Sequence, residues 1–347
     1  MFPGKVSFNT TSSFILQILL SLTISKSATS TLLPNSPNTI DYVATTSNTT
    51  LVDGVDSRFD VGYTFDTPVL PITPCLMNAL AAVRELAVGD FTGNLTPKTY
   101  RLTDYPSVSI VTDTTSSSET IETRFVIWGI WKGIRHVVLS GKFRNVLFTL
   151  NWKGAVVGYV MVVRSGAVLG IARSNNSQII SQRSDALSIS NTTANLPQIN
   201  NSVVITDPVD EAKLEVSLTL TGQVFTIYEV FSTVLAALAN LAEAPKDQRL
   251  RYISLSPDYY DTTLAIFDPR ESPQTSSPIL NCEETLMAMA MIPRYMVQRS
   301  EFREVVLSIR VDGVLIGKGF MSRGRVGNGT SPSLSEKSMS RAAPGEQ

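Results

Sequence analysis

The chain has 347 residues, of which 43% are hydrophobic, so it is long enough for two ordinary domains and apolar enough to bury a core. Its 29 lysines and arginines are balanced by 30 acidic residues. This balance excludes nucleic acid and anionic membrane surfaces as expected partners, because both are bound through a basic excess.

The first 27 residues are predicted to be a secretory signal peptide. Lys5 precedes the apolar run 14–24, and small residues where a signal peptidase could cut follow that run. The run is too short to span a bilayer, which takes about 20 apolar residues; the alternative is a buried N-terminal helix. Residues 28–57, rich in Ser, Thr, Asn and Pro, then form a predicted extended lead-in. We therefore expect a secreted chain with no stable membrane insertion.

Residues 58–173 are predicted to form a first α+β repeat. Alternation of apolar and polar residues, a helix start at Thr73-Pro74 and a turn at Lys153-Gly154 mark its elements. In order, the predicted elements are a strand (59–65), a helix (73–89), a strand (105–112), a helix (121–139) and a β-hairpin (143–161).

A second repeat is predicted over residues 214–321. Its first strand and helix match those of the first repeat 155 positions later, and its hairpin, which turns at Asp312-Gly313, follows the first hairpin by 159 positions. Two of its helix starts have the spacing of a capping box, namely Thr226 with Glu229 and Asn281 with Glu284. Residues 174–213 are a predicted glycosylated linker, and residues 322–347 a disordered tail without a lipid-anchor signal.

The fold class that follows is α+β, with an internal duplication of a β-α-β-α-β-β unit around a pseudo-twofold axis. The pattern leaves open whether the two units share one core or form separate lobes. The same repeat matches Arg135 with Arg294, and these arginines could bind an anionic ligand in each copy or form ion pairs.

Glycosylation sequons and cysteines fit an exported protein. Outside the signal peptide, the pattern N-x-S/T occurs at six asparagines: Asn48, Asn94, Asn175, Asn191, Asn200 and Asn328. The two cysteines, Cys75 and Cys282, form an even pair, which in an oxidising compartment predicts a disulfide. The alternative is two separate buried thiols.

Two aspartates suggest one candidate chemistry. Asp113 and Asp268 match at the 155-residue offset, and each follows an apolar run. Paired aspartates in a duplicated secreted protein resemble the aspartic proteases, in which two carboxylates share one proton. The Asp-Thr/Ser-Gly triplet of that family is missing, because Thr115 and Arg270 stand at the glycine position. The bland alternative is that each aspartate closes a strand and opens a turn.

Other candidates point to packing. His136 is the only histidine, which argues against a metal site because such sites usually collect several ligands. The sequence also contains no G-x-S-x-G motif, so the nucleophile elbow that would pair with a catalytic histidine is missing. An aromatic and a methionine-rich helix could line a pocket for a small apolar ligand, or they could simply be core. The residues concerned are Trp128, Trp131, Met287 and Met289.

The sequence resembles no family as a whole. It predicts a secreted, N-glycosylated, non-enzymatic binding protein of an effector-like kind, with no cofactor and no metal. The expected partner is a protein, a glycan or a small apolar ligand. The alternatives are a hydrolase that uses Asp113 and Asp268, and a carrier of an apolar molecule beside Trp128 and Trp131.

Overall fold

The computed structural model describes residues 55–115, 118–165, 202–206, 214–257, 259–270 and 278–324. The predicted signal peptide, and most of the predicted lead-in, linker and tail, lie outside these residues. The first half contains β1 (Phe59–Val69), α1 (Ile72–Val88), β2 (Asn94–Leu95), β3 (Lys98–Tyr100), β4 (Val108–Asp113), β5 (Ile121–Glu122), α2 (Thr123–Ser140), β6 (Arg144–Trp152) and β7 (Ala155–Arg164). The second half contains β8 (Ser202–Thr206), β9 (Leu214–Val224), α3 (Ile227–Leu241), β10 (Tyr252–Leu255), β11 (Thr262–Phe267), α4 (Cys282–Arg299), β12 (Arg303–Val311) and β13 (Val314–Arg323).

Each half is built on one antiparallel sheet, and the two sheets have the same strand order. The first sheet runs β1-β6-β7-β4-β3, and the second runs β9-β12-β13-β11-β10 with β8 added beside β9. The predicted α+β class is confirmed. The predicted β-α-β-α-β-β unit was too short, because β3 and β10 join the sheets as additional edge strands, and β2 pairs with β5 in a separate ribbon.

The two predicted hairpins turn in the same way. Lys153 and Gly154 both have positive φ (52° and 82°), as do Asp312 and Gly313 (50° and 77°), which is the backbone of a type I′ turn. In each hairpin a β-bulge lies at the same distance from the turn, with the extra residue at Val157 in β7 and at Ile316 in β13. The turn chemistry therefore fixes the register of both sheets, and with it the face on which each side chain lies.

A side-chain hydrogen bond repeats at the other end of the hairpins. Asn145 Oδ1 accepts a hydrogen bond from the backbone N–H of Arg164 at 2.8 Å. Glu304 Oε1 accepts one from the backbone N–H of Arg323 at 2.9 Å. These two acceptors lie 159 positions apart, as do the two donors, so the hairpins correspond along their whole length.

The helices of both halves meet in one hydrophobic core. Helices α1 and α2 pack on the first sheet and α3 and α4 on the second, while α1 also contacts α3 and α4, and α2 contacts α3. The buried apolar residues of both halves form a single cluster. Helix α3 is buried along almost its whole length on every side, from Glu229 to Leu241. A helix that is apolar all round belongs inside a protein, and the other half supplies its cover.

Both predicted capping boxes are present. Thr226 Oγ1 accepts from the backbone N–H of Glu229 at 3.2 Å, and the Glu229 carboxylate accepts from the N–H of Thr226 at 2.6 Å. Asn281 and Glu284 make the same pair of bonds at 3.0 and 3.3 Å. The predicted start of α1, with Thr73 as N-cap and Pro74 as the first helical residue, was two residues late, since that helix begins at Ile72 without a side-chain cap.

The predicted disulfide is wrong. Cys75 and Cys282 are both free and fully buried. The Sγ of Cys282 donates a hydrogen bond to the carbonyl oxygen of Leu241 at 3.4 Å, which caps the end of α3. Burial raises the pKa of both thiols to about 12. Each cysteine therefore serves as a small, uncharged core side chain.

Helix α2 approaches β6 closely at two glycines. A Cβ on Gly133 would lie 2.2 Å from the ring of Phe148, and a Cβ on Gly129 would lie 2.4 Å from a terminal methyl of Leu150. Phe148 is fully buried, so its ring has no room to move aside. The terminal methyl of Leu150 belongs to a more flexible side chain.

We expect Gly133→Ala to lower the free energy of unfolding by about 1–3 kcal/mol, because overpacking outweighs the roughly 1 kcal/mol that alanine gains over glycine in a helix. Gly129→Ala is the matched control and should cost less. Adding Phe148→Leu, the residue type at the equivalent Leu307, should restore part of the loss. Urea unfolding followed by fluorescence measures all three; stabilisation by Gly133→Ala alone would contradict the close packing.

Candidate binding surface on the second sheet

The predicted ligand-binding residues lie in the core. Trp128 and Trp131 are buried on α2, and Trp128 packs against the rings of Phe59 at 5.5 Å and Phe91 at 5.8 Å. On α4, Met289 is fully buried and Met287 is half-buried against the same core. These side chains therefore serve as packing on their respective helices.

One cavity among the described residues lies away from these side chains and is small. It lies between α1 and β3, where Glu85, Lys98 and Tyr100 line it, and has a volume of about 10 Å³, the space of one water. An apolar carrier site takes some 300 Å³ or more. The aromatic helix α2 therefore fills its space with its own side chains.

The two candidate aspartates are not equivalent. Asp113 is paired with Tyr159 across β4 and β7, whereas Phe267 is paired with Lys318 across β11 and β13. Tyr159 and Lys318 correspond, since each lies five residues beyond the turn glycine of its hairpin. The counterpart of Asp113 is therefore Phe267, and the sequence match with Asp268 was wrong by one residue. The two aspartates end strands of different sheets.

Asp268 is engaged by arginines. Its carboxylate accepts hydrogen bonds from Arg270 Nε at 2.9 Å and Nη2 at 3.0 Å, and Arg249 Nη2 lies 3.7 Å away. Burial opposes the charge on this carboxylate, but the hydrogen bonds and charges of the two arginines prevail and lower the pKa of Asp268 below its ordinary value. A carboxylate that shares a proton needs the opposite environment. The arrangement ties the end of β11 to the loop that follows it.

His136 and the matched arginines also make structural contacts. The His136 ring stacks on Tyr63 with centroids 3.9 Å apart. Arg135, from the first half, lies over the ring of Tyr259 in the second half at 4.3 Å. Reciprocally, burial raises the pKa of Tyr105 in the first half while the charge of Arg294, from the second half, opposes that rise. Within the described residues, no cluster of three or more His, Cys, Asp or Glu side chains could hold a metal ion.

The outer face of each sheet carries an unexpected apolar row. In the first sheet, cross-strand pairing aligns Leu147, Met161 and Val111 on the face away from the helices. In the second sheet, the same pairing aligns Val306, Phe320 and Ala265. Their neighbours along each strand, such as Phe148 and Leu307, point into the core. Strands with one solvated face normally alternate apolar inside with polar outside.

The row is broader and more exposed on the second sheet. Phe267 and Tyr252 are paired with each other on β11 and β10, in the row next to Phe320. We call the four large side chains that result the second-sheet patch: Tyr252, Phe267, Val306 and Phe320. Val306 is 44% exposed and Tyr252 37% exposed, while both phenylalanines are half-buried. Half-buried Lys318 lies among them, paired with Phe267 and Ser308.

Sequence reasoning missed this surface, although β12 carries a signal for it. The triplet Val305-Val306-Leu307 breaks the alternation of apolar and polar residues, so one of its members must face outward. Which member faces outward depends on the register. The pairing of Val306 with Phe320 settles it.

The chain matches no family model and no curated protein. Among solved structures, it is similar to the tandem DUF26 ectodomain of the cysteine-rich receptor-like protein PDLP8 from Arabidopsis thaliana. The identity is 7%, the alignment covers 76% of this chain and 96% of that chain, and the TM-score is 0.20. A TM-score this low does not establish a common fold, and no conclusion about this chain rests on it. No helix in the described ranges is long and apolar enough to cross a membrane.

We expect Asp268→Asn to lower the free energy of unfolding by about 1–3 kcal/mol at pH 7, because it weakens charged hydrogen bonds and leaves two arginines without their partner. The folded pKa of Asp268 lies below the unfolded one, so its contribution is present above the unfolded value of about 4 and is lost as the pH falls through the folded value. The difference between wild type and variant should therefore shrink below pH 4. Denaturant unfolding at pH 7, 5, 4 and 3 measures it, and a constant difference would contradict the ion pair.

Proposed function

We propose that this chain is a secreted, non-enzymatic binding protein that holds a protein partner against the second-sheet patch. The observation that carries the proposal is the outward apolar row, widened by Phe267 and Tyr252, on a sheet whose other face is already buried. Contiguous exposed apolar patches are uncommon on soluble proteins, and where they occur they usually mark an interaction site. Exposed aromatic side chains are also enriched at protein interfaces.

The composition of the patch favours a protein over a small ligand. Its side chains lie on the open face of a sheet and form a broad surface, whereas a small-molecule site is a concave pocket that encloses its ligand. Lys318 places a positive charge among them, so a complementary surface would combine apolar side chains with a carboxylate. A protein surface supplies both kinds of group, which a simple apolar molecule does not.

Export and glycosylation are part of the same proposal. The apolar run 14–24 and the six sequons support a route through the secretory pathway. Of the sequons, only Asn94 lies within the described residues, where it stands exposed at the start of β2. An exposed asparagine on a short two-residue strand has room for a glycan. An effector-like role outside the producing cell is consistent with these features.

We also infer that the two halves arose from one duplicated α+β unit. Their common strand order, type I′ turns, bulges and Asn145/Glu304 hydrogen bonds support this inference. Duplication explains why both sheets carry an outward apolar row. It also allows the outer face of one sheet to change in sequence, because that face does not contribute to the core that the two halves share.

The two alternative functions have less support in the geometry. A hydrolase would bring two carboxylates to one site, yet Asp268 is held by Arg249 and Arg270 and has no aspartate as its counterpart. A carrier would enclose a cavity beside Trp128 and Trp131, whose rings instead pack on aromatic neighbours. Neither arrangement supplies a reacting group with an open place beside it for a substrate.

We expect Val306→Lys to weaken partner capture from the native extracellular fluid at least tenfold, since an added charge at the centre of an apolar contact costs several times the roughly 1.4 kcal/mol that corresponds to tenfold. Val314→Lys is the matched control, because Val314 has the same residue type, lies on the same sheet and is 39% exposed, but stands at the hairpin turn outside the patch. Immobilised wild type and both variants are compared by quantitative pull-down. Equal capture by all three proteins would sink the proposal, provided that their thermal unfolding is unchanged.

Secretion in a eukaryotic host should add a glycan at Asn94. We expect Asn94→Gln to lower the mass of the secreted protein by one glycan, and peptide N-glycosidase to abolish the difference. Intact mass spectrometry of the medium measures both. A secreted wild-type chain with an unmodified Asn94 peptide would contradict this part of the proposal.

A further inference from the structure

One end of the first half gathers three cations around a single indole ring. Trp152, the last residue of β6, is half-buried, and its ring packs against Phe125 with centroids 5.2 Å apart. The guanidinium carbons of Arg58 and Arg124 lie 4.9 and 5.3 Å from the centre of the indole, and the ammonium nitrogen of Lys153 lies 5.5 Å from it. The face of an aromatic ring carries partial negative charge and attracts cations. The indole therefore holds the three positive groups close to one another.

Further cations follow the face of β1 that packs on α2. Lys132 Nζ lies 5.8 Å from the ring centre of Phe59, and Lys142 Nζ lies 5.7 Å from that of Phe65. Phe59 and Phe65 are six residues apart on one face of β1 and precede its bulge, so they are separated by about 20 Å. We call the resulting set of five cations the first-half basic row: Arg58, Arg124, Lys132, Lys142 and Lys153.

Carboxylates pair with two members of this row. Asp56 Oδ1 accepts a hydrogen bond from Arg58 Nε at 2.9 Å, and Glu122 Oε2 lies 2.6 Å from Arg124 Nε. Each carboxylate occupies only part of its guanidinium group, which has five N–H donors. The two arginines are therefore oriented by their acidic neighbours and keep donors for a further oxyanion.

The lysines of the row carry the excess charge. Lys142 and Lys153 are exposed, and neither forms an ion pair within the described residues. Lys132 is half-buried and donates to the carbonyl oxygen of Phe59 at 3.3 Å. Asp60, the first acid of β1, is exposed between two buried residues, so it lies on the opposite face of the strand. The row therefore keeps a net positive charge beside its two carboxylates.

The second half shows that the fold does not require these cations. Helix α4 and strand β12 follow α2 and β6 by 159 positions and have the same lengths, so equivalent residues can be compared directly. The second half has acidic or apolar side chains at the equivalent places. The replacements are Arg124 by Glu283, Lys132 by Met291, Lys142 by Glu301, Trp152 by Val311 and Lys153 by Asp312. Since the same elements form without them, packing alone does not account for the basic row.

We propose that the first-half basic row binds a linear acidic polysaccharide through its carboxylate or sulfate groups. The row is extended, which suits a polymer with repeated negative charges better than a small anion held at one point. Arginine forks and lysine ammonium groups are well suited to bind such oxyanions. The choice of a polysaccharide rests on the export that belongs to the proposed function. It does not depend on the second-sheet patch, which lies on the other sheet.

The aromatic rings of the row favour a sugar polymer over an acidic peptide. Trp152 and Phe65 are half-buried, so part of each ring reaches the surface beside a cation. The negative face of an aromatic ring attracts the polarised C–H groups of a sugar ring. An acidic peptide would bring the same carboxylates, but such segments are disordered when free and lose conformational entropy on binding. The row therefore offers a sugar polymer contacts to its rings as well as to its charges.

Calorimetric titration of the full secreted chain with heparin, which carries sulfates, and with polygalacturonate, which carries carboxylates, tests the proposal. At least one should bind and change the fluorescence of Trp152, and its affinity should fall as the salt concentration rises. Lys153→Asp introduces the residue that the second hairpin has in the same turn, at Asp312, and should weaken binding at least about fivefold. Lys142→Glu, at the far end of the row, should weaken binding by a similar factor. Arg310→Asp, which removes an exposed cation from the second hairpin, is the matched control and should have little effect.

Four results would overturn the proposal. The wild-type chain could bind neither polysaccharide. Lys153→Asp and Arg310→Asp could weaken binding equally, which would assign it to the charge of the whole chain. Lys142→Glu could leave the affinity unchanged, which would assign the cations around Trp152 to a small anion. Polyglutamate or single-stranded DNA could bind more tightly than both polysaccharides, which would assign the row to another class of macromolecule.

The wild-type titration needs no variant, so it remains decisive even where a variant folds poorly. Capture of a partner by the second-sheet patch is a separate measurement. Either proposal can therefore fail while the other stands.

Discussion

The structure depends on helices that each half cannot bury alone. Helix α3 has apolar or small side chains on nearly every side from Val230 to Leu241, and only one of those sides faces its own sheet. The remaining surface is covered by α4 from its own half and by α1 and α2 from the other half. Burial of a single leucine-sized side chain contributes about 1.5–3 kcal/mol. Exposing the several side chains under this cover would therefore cost more free energy than the net stability of an ordinary domain. The two halves are therefore one folding unit, despite their separate sheets.

This shared core explains the contacts that join the halves at its rim. Phe143, at the start of β6, stacks on Tyr228, in the first turn of α3, with centroids 5.7 Å apart. Arg135 lies over the ring of Tyr259 in the opposite half. The positive charge of Arg294 correspondingly opposes the rise that burial causes in the pKa of Tyr105 in the first half. These contacts place polar and aromatic groups where the helix layer reaches solvent. They also account for the matched arginines without an anionic ligand.

The elements that the sequence predicts well are those determined by local chemistry. Lys153-Gly154 and Asp312-Gly313 specify type I′ turns, and the Thr226 and Asn281 caps specify helix starts, because each depends only on residues within a few positions. The face of a strand residue is different, since it depends on pairing with distant residues. A slip of one position in the alignment made Asp268 the apparent counterpart of Asp113 in place of Phe267, and the same uncertainty about the face of a strand residue hid Val306.

The disulfide was wrongly predicted and the strand β8 was missed for related reasons. Two cysteines form a bridge only if the fold brings them together, and here α1 and α4 each bury one thiol as packing. The segment that contains β8 is polar in composition on either side, so the five residues SVVIT carried too little signal against their surroundings. Its pairing is specified by β9, a partner that a local reading does not include.

The outer faces of the two sheets differ in how far their apolar side chains reach solvent. Both sheets carry an outward apolar row, yet Leu147 in the first sheet is half-buried, while its counterpart Val306 in the second is 44% exposed. At the next row, the first sheet has Asp113 where the second has Phe267. If the row were a by-product of sheet packing, both copies would be expected to hide it or to replace it with polar residues. Instead each sheet has one charged and one aromatic residue at this row, Asp113 with Tyr159 in the first and Lys318 with Phe267 in the second, and the second sheet is the one whose apolar row reaches solvent at Val306. Retention of apolar side chains at exposed positions of one repeat, against the cost in solubility, is what a contact with a partner explains.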